Sequence, residues 1–406
     1  MHVEQLVRQT VALQGFRIVN VKQIGGELQV RLEPDGRFKR RCSKCGRPAP
    51  KRGRLGQNRY RHVPLWNLPC VFVYSPHRVS CPACGVHVER LDWAVGRATR
   101  AFAITVALWA RMLAYSRVAK LFDCSWGLVS NCVSFVVDYG LTHRKLGQVR
   151  VIGVDEISRR KGHTYVTNVY DLEAGTLLFC YDGRGRDAME AFFTWFGPDR
   201  TAKLESVCCD MWEPYFSVIG EYAPHASLVF DKFHVVKHLT EAVDKVRRDE
   251  IRAKGAEYRD RMRKTRYIFL TNRENLSPAK ELTLTAILAM NLAITKAYVL
   301  KEAFREFWAC NTSLAAFQFF DRWFWLATHS RLKPLRDFAW MIRRHLTGVL
   351  AYFLRRITNA TTEGLNNKAK AIIHQAFGFR SLHTLISCLY LRMAELPMPK
   401  LKHSFV

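Results

Sequence analysis

The sequence predicts a multidomain chain of mixed α/β plus α class, and three observations carry that expectation. Two CxxCG knuckles, CSKCG at 42–46 and CPACG at 81–85, frame a strongly basic segment. A helical period over 100–140 follows. Short β-rich runs between 149 and 231 then alternate with helical stretches before a long helical remainder. At 406 residues the chain is also longer than one hydrophobic core usually serves, so several domains are expected.

Composition narrows the function classes. Lys and Arg number 63 against 35 Asp and Glu, a net charge of +28. An excess of that size favours a polyanionic partner, with nucleic acid first and an anionic membrane surface second. Hydrophobic residues make up 49%, enough for proper cores, which excludes a disordered basic tail. The start, MHVEQLVRQT, has no apolar h-region, so no secretory leader is expected. The apolar run at 101–110 ends at Arg111, far short of the roughly 20 residues of a membrane span. No membrane partner is expected, and the twelve cysteines then point to metal binding or core packing in a reducing compartment.

In chain order, residues 1–35 read as a small strand and helix segment, with a strand pair turning at Gly25-Gly26. Residues 36–95 hold the knuckles, and 98–142 are helical. The runs VRVIGVDEIS, HTYVTNVYDL and TLLFCYD read as three adjacent strands; a helix, LESVCCD, another helix and SLVFDKFH complete an α/β order over 148–235. Residues 236–345 and 346–395 are helical.

Cys42, Cys45, Cys81 and Cys84 have the spacing of a tetrahedral zinc site, one structural Zn²⁺ on a zinc ribbon. Gly46 and Gly85 let each knuckle turn its amides towards sulfur. The gap between the pairs is long, and a β-hairpin containing VFVY (71–74) would fill it. His62, Cys70 and His77 stand near enough in sequence to replace one ligand. Between Arg31 and Arg61 twelve basic residues face two acids, so Arg52, Arg54, Arg59 and Arg61 are expected to contact phosphates.

YSRVAKLFDCSWGLVSNCVSF (115–135) reads as a helix-turn-helix. Val118, Ala119, Phe122, Val129 and Cys132 would point inward. Asp123 would take the turn, and Ser125 would cap the second helix. Trp126, Ser130, Asn131 and Ser134 would then face the major groove.

Asp155 and Asp210 each close an apolar β-run, where neighbouring strands bring side chains to one sheet edge. Carboxylates meeting there repel unless a hard cation lies between them; Mg²⁺ (or Mn²⁺) suits, and two such ions per site suit phosphoryl displacement. Glu363, in TTEGLNNKAKAI, is the sole acid between Asp337 and Glu395 and is the third acid. It shares a helix face with Asn367, Lys370 and His374, groups suited to a DNA backbone, opposite Leu365, Ala369, Ile372 and Ile373. Glu156 points to the other face of its strand and is not expected as a ligand.

The ordered set VIGVDEIS, RKGHTY, CCDMWEPY, FDKFHVVKHL and TTEGLNNKAKAI resembles the DDE transposases of bacterial insertion sequences, most closely the ISL-three group. The resemblance covers nearly the whole chain. It implies a ribonuclease-H-like mixed sheet with a long helical insertion, preceded by a zinc ribbon and a helix-turn-helix. The 153 positions from Asp210 to Glu363 leave room for that insertion. It implies metal-ligand roles for Asp155, Asp210 and Glu363, and supporting or DNA-contacting roles for Asp231 and His234. It also implies double-stranded DNA partners, both transposon ends and target, a homodimer or larger assembly on DNA, and a bacterial cytoplasmic, nucleoid-associated location. A metal-dependent nuclease that cuts without joining, and a non-enzymatic DNA-binding regulator, are the rival readings.

Overall fold

The structure is a computed structural model and describes residues 13–400 except 14, 161–163, 231, 291 and 356–359. The chain divides into two compact units. One is formed by the chain up to Leu146 and again from Ala369; the other is Gly147–Lys368.

The first unit opens with a hairpin of β1 (Phe16–Ile24) and β2 (Glu27–Pro34), turning at Gly25 and Gly26 as expected. β3 (Lys51–Arg54), β4 (Asn58–Leu65), β5 (Leu68–Tyr74), β6 (His77–Cys81) and β7 (Gly85–Val88) follow. Two short strands, β8 (Ala94–Val95) and β9 (Ala98–Thr99), close the series. β3, β6 and β7 make a three-stranded sheet at the knuckles. The insert between the knuckles is the β4–β5 hairpin, with VFVY in β5. That hairpin does not stay with the knuckles. β5 pairs in parallel with β2, giving a six-stranded sheet of order β1-β2-β5-β4-β9-β8. Leu28, Val30, Leu32, Tyr60, Phe72, Tyr74 and Trp93 form its core. Residues 16–34 and the ribbon insert therefore share one core, because neither hairpin alone has enough apolar surface to stand by itself.

Helices α1 (Arg100–Ala110), α2 (Tyr115–Leu121) and α3 (Trp126–His143) come next. Thr99 caps α1 by accepting from Phe102 N, and Ser125 caps α3 by accepting from Leu128 N. Asp123 turns between α2 and α3 at φ +44°, the left-handed conformation that Asp tolerates.

The second unit is built on β10 (Val151–Arg160), β11 (Thr164–Asp171) and β12 (Thr176–Asp182), an antiparallel meander. Helices α4 (Arg186–Phe196) and α5 (Pro198–Thr201) lead to β13 (Ser206–Cys209). Then α6 (Glu213–Tyr222) leads to β14 (Ser227–Phe230). β13 and β14 add in parallel on the other side of β10, so the order is β12-β11-β10-β13-β14. β10 is thus the central strand.

The helical part of this unit runs through α7 (Lys232–Arg261), which breaks at Gly255, and α8 (Arg266–Leu270). It continues through α9 (Pro278–Leu288), α10 (Ala293–Arg305), α11 (Ser313–His329), α12 (Lys333–Arg344) and α13 (Leu346–Arg355). α13 returns to the sheet, where Ala351 packs with Cys208 and Val229. Helix α14 (Ala360–Gln375) carries Glu363, and α15 (Leu382–Met393) ends the described helices. The division between units falls inside α14, so α15 belongs to the first unit rather than with the helices that precede it. Its helical period alone could not tell which core it joins. Among the described residues no single helix is long and apolar enough to cross a membrane.

Candidate functional site

Three acids were expected to converge, and the structure seats each differently. Asp155 is not at a strand end. It lies mid-way along β10, paired with Asn168 of β11, because the hairpin pairing continues to Arg160. A carboxylate inside an apolar run reads as a boundary in sequence, whereas here the ladder carries on past it. Asp155 Oδ1 accepts from Glu156 N at 2.6 Å. Asp210 directly follows β13, as expected, and its Oδ1 lies 2.7 Å from His234 Nδ1 in the first turn of α7. Asp231 lies outside the described residues.

Glu363 is exposed in the first turn of α14, and Asn367, Lys370 and His374 are exposed with it. The opposite side of that turn is anchored on β10. Thr362 is fully buried, and it approaches Gly153 so closely that a Cβ there would lie 2.3 Å from its Oγ1. Only glycine fits at that point. Asn366, 1% exposed, donates from Nδ2 to the Glu156 carbonyl at 3.1 Å and accepts from Tyr170 OH at 3.0 Å. Glu363 sits between these two anchors in the helix sequence. Thr362 and Asn366 were absent from the expected site; their i, i+4 spacing beside Ala369 was the available signal.

Glu156 projects from the other face of β10, as expected, yet it is not idle. Tyr215 OH on α6 donates to its Oε1, and Arg184 Nη1 lies 3.9 Å from Oε2. Burial raises its pKa above the usual carboxylate range, and the charge of Asp210 adds to that; Tyr215, Arg184 and His234 oppose it. Asp210 and His234 thus lie within electrostatic reach of Glu156.

Asp155, Asp210 and Glu363 do not close into a group with ligand atoms all within 4.8 Å of one another. Among the described residues, the one group of three or more ligand atoms all within 4.8 Å of one another is elsewhere, at Cys42, Cys45, Cys81 and Cys84. A tetrahedron with metal–sulfur bonds of about 2.3 Å has edges of about 3.8 Å, and Cys45 and Cys81 sulfurs lie 3.5 Å apart. Gly46 and Gly85 turn the knuckles at φ +72° and +81°. Hydrogen bonding to Cys45, with burial and Cys81 adding to it, pushes the Cys84 thiol up to about 12. Crowded thiols that resist ionisation are what a bound dication would reverse. The three alternative ligands are committed elsewhere. His62 bonds Thr99 Oγ1 at 2.9 Å and is held neutral by burial, which lowers its pKa to about 4. Cys70 is in the six-stranded sheet's core, and His77 contacts Glu89 and Tyr74.

A family model described as "Transposase", for the DDE transposases of the ISL-three group, matches residues 152–389, more than half of the chain and all three acids. The chain belongs to this family. It is 30% identical over 397 residues to the transposase for insertion sequence element IS1557 of Mycobacterium tuberculosis, covering 91% of this chain and 89% of that one. It is 27% identical over 377 residues to the transposase for insertion sequence element IS1001 of Bordetella parapertussis, covering 90% of this chain and 92% of that one.

In this transposase the helix-turn-helix residues Val118, Ala119, Val129 and Cys132 are buried as expected. Its outward face differs. Ser130 Oγ meets Thr384 Oγ1 of α15 at 3.2 Å. Trp126 is half-buried beside Tyr115, with the Arg380 guanidinium 5.0 Å from its ring centroid. Asn131 is exposed. The C-terminal helix, which covers Ser130, could not be paired with α3 from local sequence. Among the basic residues, Arg52 and Arg54 are exposed. Arg59 pairs with Glu27, and Arg61 ties β4 to the turn through Asp123 and the Phe122 carbonyl. Arg59 is exposed like Arg52 and Arg54, whereas Arg61 is half-buried.

Proposed function

We propose that this transposase binds the terminal inverted repeats of its element and carries out Mg²⁺-dependent phosphodiester hydrolysis followed by strand transfer. The observation that carries the reading is the family match over 152–389, which includes Asp155, Asp210 and Glu363 in order. The five-stranded sheet is read as a ribonuclease-H-like core, with the helices between β14 and α14 as its insertion. Asp155, Asp210 and Glu363 would hold the ions. An open set of carboxylates suits Mg²⁺, which takes few protein ligands and leaves positions for phosphate oxygens. Bound Mg²⁺ would supply charge neutralisation at the attacking and leaving oxygens of an in-line displacement.

The chain's own groups prepare that centre. The Glu156 amide fixes the rotamer of Asp155, and His234 fixes that of Asp210. Asn366 and Thr362 hold the Glu363 turn against β10. At the other end of the chain the cysteine quartet would hold one structural Zn²⁺. Arg52 and Arg54 would contact phosphates, and Asn131 base edges, so sequence reading and chemistry are divided between regions.

The test uses purified protein and a duplex carrying the element's own ends. Asp155→Ala, Asp210→Ala and Glu363→Ala are each expected to lower cleavage and joining by at least about 10²–10³-fold, with end binding nearly intact. Cleavage at the native rate by any one of them would remove that residue from the site. Cleavage without joining by the wild-type protein would favour a nuclease.

A further inference from the structure

Arg184 stands in the connection between β12 and α4, beside the acidic centre. Its guanidinium lies 4.3 Å from the ring centroid of Tyr165 on β11 and 5.3 Å from that of Trp212, two residues beyond Asp210. Gly185, next in the chain, takes the positive φ of +93° that glycine adopts without strain. Stacking engages the faces of a guanidinium and leaves its in-plane N–H donors free. The Arg184 side chain is 44% exposed. Its distance to Glu156 Oε2 is 3.9 Å, beyond hydrogen-bond range.

The neighbouring Arg186, first residue of α4, shows what a structural arginine does here. It makes a forked pair with Glu221 at 3.1 and 2.6 Å and also reaches Glu190 at 2.7 Å. Arg184 has no such pair among the described residues. A mere counterion for Glu156 would close to a forked contact, and that carboxylate already has Tyr215. Two aromatic rings instead flank Arg184 beside Glu156, a carboxylate that also feels the charge of Asp210. An oriented cation with open donors amid acids fits an anion delivered from outside.

We infer that Arg184 is a phosphate clamp. Its in-plane N–H groups take a non-bridging oxygen of a DNA phosphodiester beside the bond to be cut, and Tyr165 and Trp212 are positioning residues that fix its plane. The inference rests on the proposed phosphodiester chemistry for where the DNA lies.

The test is end binding by the full chain in EDTA, so that it is read apart from cleavage. The probe is a duplex carrying the element's terminal repeat, with single neutral methylphosphonates stepped through the phosphates around the cut. One position is expected to cost the wild type about ten- to a hundredfold in affinity. Arg184→Gln is expected to lose a similar factor on unmodified DNA and nothing further at that position. Arg184→Lys, which keeps the charge without the planar fork, should resemble Arg184→Gln, and it serves if the glutamine variant does not fold. The clamp is overturned if Arg184→Gln remains as sensitive as the wild type to every methylphosphonate. It is equally overturned if adding Glu156→Gln to Arg184→Gln restores wild-type binding, since Arg184 would then be a counterion. Cleavage by Asp155→Ala would instead overturn the catalytic assignment and leave the phosphate map standing.

Discussion

The cysteine quartet and the acidic centre are both built from groups that can hold metal, and they are assembled in opposite ways. The four sulfurs already lie within one coordination sphere, on two glycine-turned knuckles joined by a small sheet. The acids do not close into such a group, and each has a separate neighbour: an adjacent amide for Asp155, a histidine for Asp210, an anchored helix turn for Glu363. Soft thiolates around a closed tetrahedron leave no room for a reactant. Hard oxygens that take few places on an ion, as proposed for the three acids, would leave room for one. The difference teaches that a site's openness can be read from what holds its ligands, before any ion is considered.

The largest effect should come from breaking the closed site. Cys42→Ser with Cys45→Ser should abolish stoichiometric zinc and unfold β3, β6 and β7, a loss on the order of 10 kcal/mol of metal-linked folding energy. Metal analysis and hydrogen exchange report it, and protection across β10–β14 should persist. A protein that keeps its ribbon protected without zinc would show that the quartet is not a structural metal centre.

A smaller effect should follow from loosening the open site. Asn366→Ala leaves the Tyr170 hydroxyl and the Glu156 carbonyl without their partner, costing about 2–4 kcal/mol in urea unfolding. Cleavage should fall as well, at temperatures where the variant is fully folded, because the turn bearing Glu363 loses an anchor. Native cleavage by the folded variant would show that Glu363 is held by something else.

The smallest effect concerns Glu156 and has a definite sign. Burial raises its pKa in the folded state, so its ionised form opposes folding at pH values above the folded pKa. Glu156→Gln should therefore melt at a higher temperature than the wild type at pH 8. The gap should close as the pH falls towards about 4, where the wild-type carboxyl is itself protonated. A variant that melts lower at pH 8 would mean that the Tyr215 and Arg184 contacts outweigh the burial of charge.

What could be read from sequence was local. Ser125 as a cap, Asp123 in a left-handed turn, the paired knuckles and Asp210 after its strand all depend on residues within a few positions of each other. The strand and helix order from β10 to β14 was also legible, since its periods change within short windows. Asp155 was misplaced within its strand because pairing with β11 extends the ladder beyond the point where the apolar run stops. Asn366 and Arg184 were invisible for a stronger reason: Asn366 meets Tyr170 and Glu156 across some 200 positions, and Arg184 gains its meaning from two rings brought in by other elements. The contact of Ser130 on α3 with Thr384 was out of reach likewise, because the two lie 254 positions apart.

That last separation bears on how the protein is made. The first unit begins with the β-hairpins and the helix-turn-helix, is interrupted by all of Gly147–Lys368, and resumes at Ala369. A ribosome that has finished α3 has therefore produced a helix whose partner, α15, does not yet exist. Ser130 waits without Thr384, and Trp126 without Arg380, until all of Gly147–Lys368 has been translated. A nascent or prematurely terminated chain thus lacks the part of its first unit that follows Gly147–Lys368.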